Sequence, residues 1–150
     1  ALRALDPGRP VYVESESKKI GRLQLPDALI GHMHAQGQVL RVQMPDAARV
    51  QLLLEDYGFF ARDVDGFCRL LDGLVALRGK DTVVHWQTLA RAGAWADVFR
   101  AMMTDHYDPL YNRSMDRHYA GYAQARPVLL PDGGPTALAA TASAMLAMAG

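Results

Sequence analysis

The fold prediction starts from residues 10–21, PVYVESESKKIG. Residues 10–13 form a short apolar run that is typical of a buried strand. This run passes directly into carboxylates, hydroxyls and two lysines, and the stretch ends at Ile20 and Gly21. In open α/β sheets, ligands bind beyond the carboxyl ends of the strands, where polar side chains of this kind collect. The stretch therefore predicts a sheet with a functional site at one end of its first strand.

The residues that follow predict a connecting helix and a second strand. Pro26 and Asp27 open a helix that stops at Gly37, and residues 39–44, VLRVQM, form a strand closed by Pro45. Two strands joined by a helix form a βαβ unit, which favours a parallel sheet. We therefore predict an α/β fold built on a βαβ unit, followed by a largely helical C-terminal extension.

The chain divides into three segments on these patterns. Residues 1–45 hold the α/β part, and residues 46–122 show apolar positions at helical spacing almost throughout. Residues 123–150 hold a strand at about residues 126–130 and an Ala- and Met-rich helix at residues 136–149. That helix is apolar on several sides, so it either packs on the domain, the reading we favour, or meets a partner.

Composition limits the classes of function. Lysine plus arginine number 16 and aspartate plus glutamate number 16, so no net charge favours nucleic acid or an anionic membrane. The single cysteine, Cys68, lies in an apolar helical run, where a cysteine is most often a small core residue. No apolar run is long enough to span a bilayer and no signal peptide is visible. We therefore expect a reducing, cytoplasmic location.

The first candidate site is the polar segment after the first strand. In extended backbone Glu14 and Glu16 share one face, where a carboxylate can act as a general base or hold a magnesium-bound water. Lys18 and Lys19 beside them would suit a phosphate. The alternative interpretation is a solvated strand end whose charges form mutual salt bridges.

The second candidate site lies in residues 106–119, HYDPLYNRSMDRHY, which interleave aromatic and cationic side chains. This mixture suits a nucleic-acid surface, because arginines meet phosphates and aromatic rings stack on unpaired bases. The residues that carry this prediction are His106, Tyr107, Tyr111, Arg113, Arg117, His118 and Tyr119. The alternative is a helix junction in which the arginines pair with Asp108 and Asp116. The histidines lack a diagnostic metal-ligand spacing, so we predict no metal site.

Three stretches of the sequence resemble a known family. They are residues 10–30, PVYVESESKKIGRLQLPDALI; residues 49–60, RVQLLLEDYGFF; and residues 86–119, WQTLARAGAWADVFRAMMTDHYDPLYNRSMDRHY. Together they resemble the C-terminal part of bacterial tRNA 2-selenouridine synthase, from about residue 1 to about residue 122. The patterns E-S-x-S-x-x-I-G and H-Y-D-P-x-Y-x-R-S are specific to that family.

The resemblance implies a fold and a reaction. The fold is the rear part of a P-loop-type domain, a partial parallel sheet with a helical extension, which in the family accompanies a rhodanese-like domain with a catalytic cysteine. The reaction replaces the 2-thio sulfur of the tRNA wobble uridine with selenium from selenophosphate. It passes through an S-geranylated intermediate made from geranyl diphosphate.

The resemblance also implies roles for individual residues. Glu14 stands where P-loop proteins place the strand-end acid that supports magnesium. Ser17, Lys18 and Gly21 would form the loop beside the diphosphate or the tRNA. Arg113 and Ser114, with His106 and Tyr111, would form the tRNA or substrate surface. Cys68 is not expected to be the rhodanese cysteine, because it lies in a helix.

One motif that the architecture should carry is absent from the sequence. The only Gly-Lys pair, Gly79-Lys80, is followed by Asp81 where a phosphate loop needs Ser or Thr, and Leu74 replaces its first glycine. We therefore expect the chain alone to be inactive, with tRNA and the rhodanese and phosphate-loop segments as its partners.

Three other functions stay open at this stage. A non-catalytic tRNA-binding module would need Arg113 and Arg117 to face the same side as Lys18 and Lys19. A kinase-like fold would bind nucleotide, which the absent phosphate loop argues against. A scaffold that only packs on another domain predicts an exposed apolar edge beside residues 11–13.

Overall fold

A computed structural model describes residue 6 and residues 8–14 and 18–148 of the chain. Its strands are β1 (Lys19–Ile20), β2 (Leu23–Gln24), β3 (Leu40–Gln43) and β4 (Arg126–Leu129). Its α-helices are α1 (Asp27–Gln36), α2 (Asp46–Tyr57), α3 (Val64–Asp72), α4 (Val75–Arg78), α5 (Lys80–Arg91), α6 (Trp95–Met102), α7 (Asp108–His118) and α8 (Pro135–Met148). A 3₁₀ segment, Gly58–Arg62, follows α2, and a π-helical segment, Met103–Tyr107, joins α6 to α7.

The predicted fold class is confirmed, because a small parallel sheet is joined to a helical C-terminal part. Strand β3 pairs with β4 in parallel register, with Val42 opposite Val128. Parallel strands need a long crossover, and here helices α2 to α7 supply it. The predicted last strand and last helix correspond to β4 and α8.

The predicted first strand is wrong. Residues 10–14 take no regular secondary structure, and the strand partner of β3 is β4 rather than this segment. The segment contacts α8 instead, since the Tyr12 hydroxyl donates a hydrogen bond of 2.8 Å to the Met145 carbonyl. Val11 and Val13 keep 54% and 46% of their surface exposed, so burial does not hold them in a sheet.

A two-residue hairpin takes the place of the loop expected after the first strand. Strands β1 and β2 pair antiparallel, with Lys19 opposite Gln24 and Ile20 opposite Leu23. Gly21, at the first central position of the turn, has φ +60°, whereas Arg22 has negative φ. This combination defines a type II′ turn, which requires glycine at its first central position.

The main core lies among helices α3, α5 and α6. Its buried side chains are Phe67, Leu71, Val83, Trp86, Ala90, Val98 and Met102. On α5 the buried positions are spaced by three and four residues, which places them on one face of the helix. Asp63 caps α3 by accepting a hydrogen bond of 2.8 Å from the Gly66 amide.

A second, smaller core joins α7 to the sheet. Its buried residues are Met115, Tyr119 and Tyr122, with Val39 packed against them. Helix α8 is held to the sheet by Thr141, which is buried and donates a hydrogen bond of 3.2 Å to the Leu129 carbonyl. Helix α8, the apolar C-terminal helix, therefore packs on the domain, which is the alternative that we favoured from the sequence. None of the described helices has the length and apolar character needed to cross a membrane.

Candidate functional site

The strand-end residues lie in and around the β1–β2 hairpin. Glu14 is exposed at the end of the extended segment, whereas Glu16 and Ser17 lie outside the described residues. The Lys18 ammonium forms an exposed ion pair of 2.8 Å with Asp27 and lowers the pKa of that carboxyl. Lys19 lies in β1, and Gly21 forms the hairpin turn. The geometry of Lys18 therefore fits the salt-bridge alternative, and the catalytic and phosphate-binding roles of the cluster stay predictions.

The residues of the second candidate site divide among three environments. His106 is buried in the π-helical segment. Tyr111 lies on the side of α7 that lines a large cleft. Arg113, Ser114 and Arg117 are exposed, and their spacing of three and four residues places them together on the outer side of α7.

The buried histidine is held by an arginine. The Arg78 Nε donates a hydrogen bond of 2.8 Å to His106 Nδ1, and a second Arg78 nitrogen donates one of 3.0 Å to the His106 carbonyl. Since Nδ1 accepts a hydrogen bond, the imidazole is neutral with its proton on Nε2. Burial, followed by the charge of Arg78, lowers the pKa of His106 below its ordinary value. This residue contributes to the helix junction rather than to an exposed RNA surface.

The lowered pKa predicts a pH dependence of stability. The unfolded chain binds a proton at His106 near pH 6.5, and the folded chain binds it only at lower pH, so stability falls as the pH drops below about 6.5. His106→Asn keeps an acceptor for Arg78 but cannot take up the proton. In urea unfolding between pH 7 and pH 5, we expect this variant to lose less stability than the wild type. His85→Asn, at an exposed position of α5, is the control, and equal pH slopes for wild type and His106→Asn would contradict the prediction.

Asp108, the aspartate of the H-Y-D-P motif, pairs with Arg49 of α2. The two carboxylate oxygens accept hydrogen bonds of 2.9 and 2.5 Å from the two terminal guanidinium nitrogens. This hydrogen bonding with Asp108 raises the pKa of Arg49. Asp46 adds a longer contact of 3.5 Å. The alternative prediction that Asp108 would pair with the arginines of its own helix is wrong.

Arg113 and Arg117 form no ion pair within residues 8–14 and 18–148. Asp116, the other carboxylate expected to neutralise them, is exposed and pairs with neither. The outer side of α7 therefore presents two positive charges, one helical turn apart, to solvent. This arrangement fits the predicted RNA surface and not the helix junction.

Helix α1 connects the two candidate sites. Asp27, at its first residue, pairs with Lys18, whereas His34, in its last turn, stacks on the His118 ring at a centroid distance of 5.2 Å. Seven residues separate these contacts, which is roughly 10 Å along a helix axis. The hairpin and the C-terminal end of α7 therefore lie at opposite ends of one short helix.

A cleft of about 1800 Å³ lies between the sheet, helix α2, helix α7 and helix α8. Its walls are mostly apolar and include Val11, Val42, Leu53, Phe99, Met103 and Met145. Two arginines line it, Arg41 of β3 and Arg49 of α2. Sequence reasoning did not single out either arginine, because a lone cation in a strand or helix has no local pattern that separates it from an ordinary surface residue.

Arg41 differs from Arg49 in its partners. Its guanidinium lies 5.7 Å from the centre of the Tyr122 ring. Two of its nitrogens are 3.1 and 2.8 Å from the terminal amide of Gln43, whose oxygen accepts from both when the amide is oriented with its oxygen towards Arg41. Tyr122 in turn donates a hydrogen bond of 2.7 Å to the Asn112 side chain. Among the described residues no carboxylate pairs with Arg41.

The acidic, histidine and cysteine side chains do not gather into a metal site in the described part of the chain, where no group of three or more lies close enough to hold an ion. Cys68 is buried in α3. Within those residues Glu14 is not part of such a group, so they do not assemble the magnesium site that the resemblance implies.

Comparison with known proteins supports the resemblance over the N-terminal part of the chain. Residues 2–67 match the family model described as the tRNA 2-selenouridine synthase AAA domain. The match spans a little under half of the 150 residues and includes the hairpin, α1, β3 and α2. It ends before the H-Y-D-P motif. Searches of curated proteins and of solved structures gave no match.

Proposed function

We propose that this chain, whose residues 2–67 match the tRNA 2-selenouridine synthase AAA-domain family model, binds tRNA for that enzyme through the outer side of α7. The observation that carries the proposal is the pair of uncompensated charges on Arg113 and Arg117. Two arginines one turn apart can each contact a phosphate of the RNA backbone. Ser114 between them adds a hydroxyl donor.

The tyrosines that the proposal uses for base stacking line the cleft and do not lie beside the two arginines. Tyr107 and Tyr111 keep 57% and 44% of their surface exposed, and aromatic rings at such positions can stack on unpaired bases. A tyrosine loses little conformational freedom when it stacks, because it has only two side-chain torsions. The proposal therefore assigns phosphate contacts to the arginines on the outer side of α7 and base stacking to the tyrosines on the cleft side.

The reaction that we propose for the whole enzyme is the conversion of 2-thiouridine at the wobble position to 2-selenouridine. Its co-substrates are selenophosphate and geranyl diphosphate, and its intermediate is the S-geranylated nucleoside. Glu14 and Glu16 remain the proposed acid–base residues, with Ser17, Lys18, Lys19 and Gly21 beside the phosphate groups. Since the described residues do not assemble a magnesium site, no step is assigned to that ion.

Measurement of tRNA binding across a salt series tests the proposal. We expect Arg113→Ala with Arg117→Ala to weaken binding by about 10- to 100-fold at low salt and to reduce the slope of log K against log salt by about 1 to 2. Arg62→Ala with Arg69→Ala, which removes the same charge from exposed positions, is the matched control. An unchanged slope in the first double variant would exclude the α7 surface.

A non-catalytic scaffold is the second candidate function. It is favoured by one observation, the ion pair that engages Lys18 with Asp27 instead of leaving it for a phosphate. A scaffold predicts that the folded wild-type chain does not bind tRNA at any salt concentration. The same binding series therefore separates the two functions, with circular dichroism confirming that each chain is folded.

A further inference from the structure

We infer that the cleft between the sheet and helices α2, α7 and α8 takes an extended, apolar peptide strand, which pairs with the open edge of β3. This open edge consists of the backbone groups of Leu40 and Val42, which point away from β4. The inference goes beyond the proposed tRNA binding and uses neither arginine of the α7 surface. It is carried by the pairing of the sheet, the lining of the cleft and a group of exposed valines.

The first step of the argument is the direction of the backbone groups of β3. The Gln43 carbonyl accepts a hydrogen bond of 2.8 Å from the Leu130 amide, so the backbone groups of Gln43 point towards β4. Because successive residues of a strand direct these groups to opposite edges, those of Val42 and Leu40 point away from β4. In the described part of the chain, neither residue pairs with a strand on that side. Strand β3 therefore offers donors and acceptors at strand spacing to a further strand.

The outer edge of β4 is closed to such a strand. By the same alternation, Pro127 and Leu129 direct their backbone groups away from β3. Pro127 has no N–H to donate, and the Leu129 carbonyl already accepts a hydrogen bond of 3.2 Å from the Thr141 hydroxyl of α8. The β3–β4 sheet can therefore gain a strand at the open edge of β3 and not beside β4.

The cleft runs along this open edge. All four residues of β3 line it, although their side chains alternate between the two faces of the sheet. Side chains of both faces border the same cleft when that cleft follows the edge of the strand. Residues 10–14 line the cleft as well, and no backbone–backbone hydrogen bond joins residues 11–13 to the rest of the described chain. Backbone groups of two separate segments are thus available to an inserted strand.

The exposed side chains of these two segments identify the kind of strand. Val42 keeps 47% of its surface exposed, Val11 keeps 54% and Val13 keeps 46%, and all three line the cleft. A strand with apolar side chains would remove them from water, and strands that are covered on both faces are rich in Val and Ile. In strand addition the main-chain hydrogen bonds supply affinity, and the side-chain pockets supply specificity. The occupant is therefore a peptide segment rich in β-branched apolar residues.

Fluorescence anisotropy with the full chain and two synthetic peptides tests the inference. The first probe is a labelled peptide with a core of alternating valine and isoleucine, flanked by lysines for solubility. The second probe has the same sequence with N-methyl groups throughout its core, which keep the side chains but remove the N–H donors. We expect the second probe to bind the wild type about 10- to 100-fold more weakly, because several backbone hydrogen bonds are lost.

Val42→Pro tests the open edge from the side of the protein. Proline removes an N–H that faces the cleft and no hydrogen bond of the β3–β4 pair, just as Pro127 does on the outer edge of β4. We expect the first probe to bind this variant about 5- to 10-fold more weakly. Val42→Thr keeps the N–H and the β-branched shape, so it is the matched control and should bind as the wild type does. If circular dichroism shows that Val42→Pro is unfolded, the comparison of the two peptides on the wild type decides.

Three results would overturn the inference. Equal affinity of the two peptides for the wild type would mean that the cleft takes apolar side chains without strand pairing. Failure of the folded wild type to bind the first probe would exclude a strand, and would leave the salt dependence of tRNA binding unaffected. Self-association of the wild type in sedimentation velocity, lost in Val42→Pro, would assign the open edge to a second copy of the chain instead of a peptide.

Discussion

Trp86→Ala should destabilise the folded chain by about 3–5 kcal/mol, the largest effect expected of any single substitution here. Trp86 is completely buried on α5 and lies in the core formed with α3 and α6. Its removal leaves a cavity that the surrounding helices cannot fill without shifting. Urea unfolding followed by circular dichroism measures the change in the free energy of unfolding.

Trp86→Phe distinguishes the cost of the cavity from the cost of the unpaired indole N–H group. The indole Nε1 of Trp86 is buried without a hydrogen-bond partner in the described part of the chain, and an unsatisfied buried donor costs about 1–3 kcal/mol. Phenylalanine removes that donor and keeps most of the apolar ring, so we expect a loss of only about 1–2 kcal/mol. Val84→Ala, on the exposed side of the same helix, should change stability by less than about 0.5 kcal/mol. A loss below about 1 kcal/mol for Trp86→Ala would contradict the assignment of this core.

The helical core could be predicted from the sequence because helix formation and apolar spacing are local properties. Trp86, Phe67 and Leu71 stand in the segment whose apolar positions recur at helical spacing, and all three are buried. On α5 the apolar pattern includes two adjacent valines, of which Val83 is buried and Val84 is 47% exposed. Two adjacent valines satisfy the apolar pattern equally well, so the pattern alone does not decide which of them faces the core.

The strand pairing could not be predicted in the same way. Residues 10–13 and β4 are both short apolar runs, and the sequence gives no local reason for β3 to prefer one of them. The preferred partner, β4, lies more than 80 residues away along the chain, on the far side of the helical part. Its Val128 is buried, whereas Val11 and Val13 are exposed. The choice is made by long-range packing.

The contrast between local patterns and long-range packing also applies to the residues of the second candidate site. Arg113 and Arg117 were predicted from residue type alone to form an RNA surface, and the structure keeps them together and exposed on α7. The burial of His106 was missed, because it depends on Arg78 and Trp86, which lie 28 and 20 residues earlier in the sequence. A π-helical segment also alters the helical phase at this point, so α-helical spacing could not place the side chain.

Arg49→Ala and Asp108→Ala should each destabilise the chain by about 1–3 kcal/mol, and the double variant by much less than their sum. The pair joins α2, inside the family-matched region, to α7, which carries the proposed tRNA surface. The Arg49 and Asp108 side chains are 32% and 38% exposed, so solvent screens the interaction between them. The expected loss of stability is therefore smaller than for a fully buried ion pair. A double-mutant cycle in urea measures the coupling.

The same variants also test whether the Arg49–Asp108 pair supports tRNA binding by holding α7 in place. If the pair fixes the position of α7, Asp108→Ala should weaken tRNA binding although Asp108 contacts no phosphate, and it should leave the number of phosphate contacts, and hence the salt slope, unchanged. Arg113→Ala should do the reverse, lowering the slope without a change in stability. Asp97→Ala, which breaks the exposed Arg100–Asp97 pair on α6, serves as the control for loss of an ordinary surface ion pair. Additive effects of Arg49→Ala and Asp108→Ala would mean that the two side chains do not act as a unit. The position of α7 would then depend on the smaller core that contains Met115.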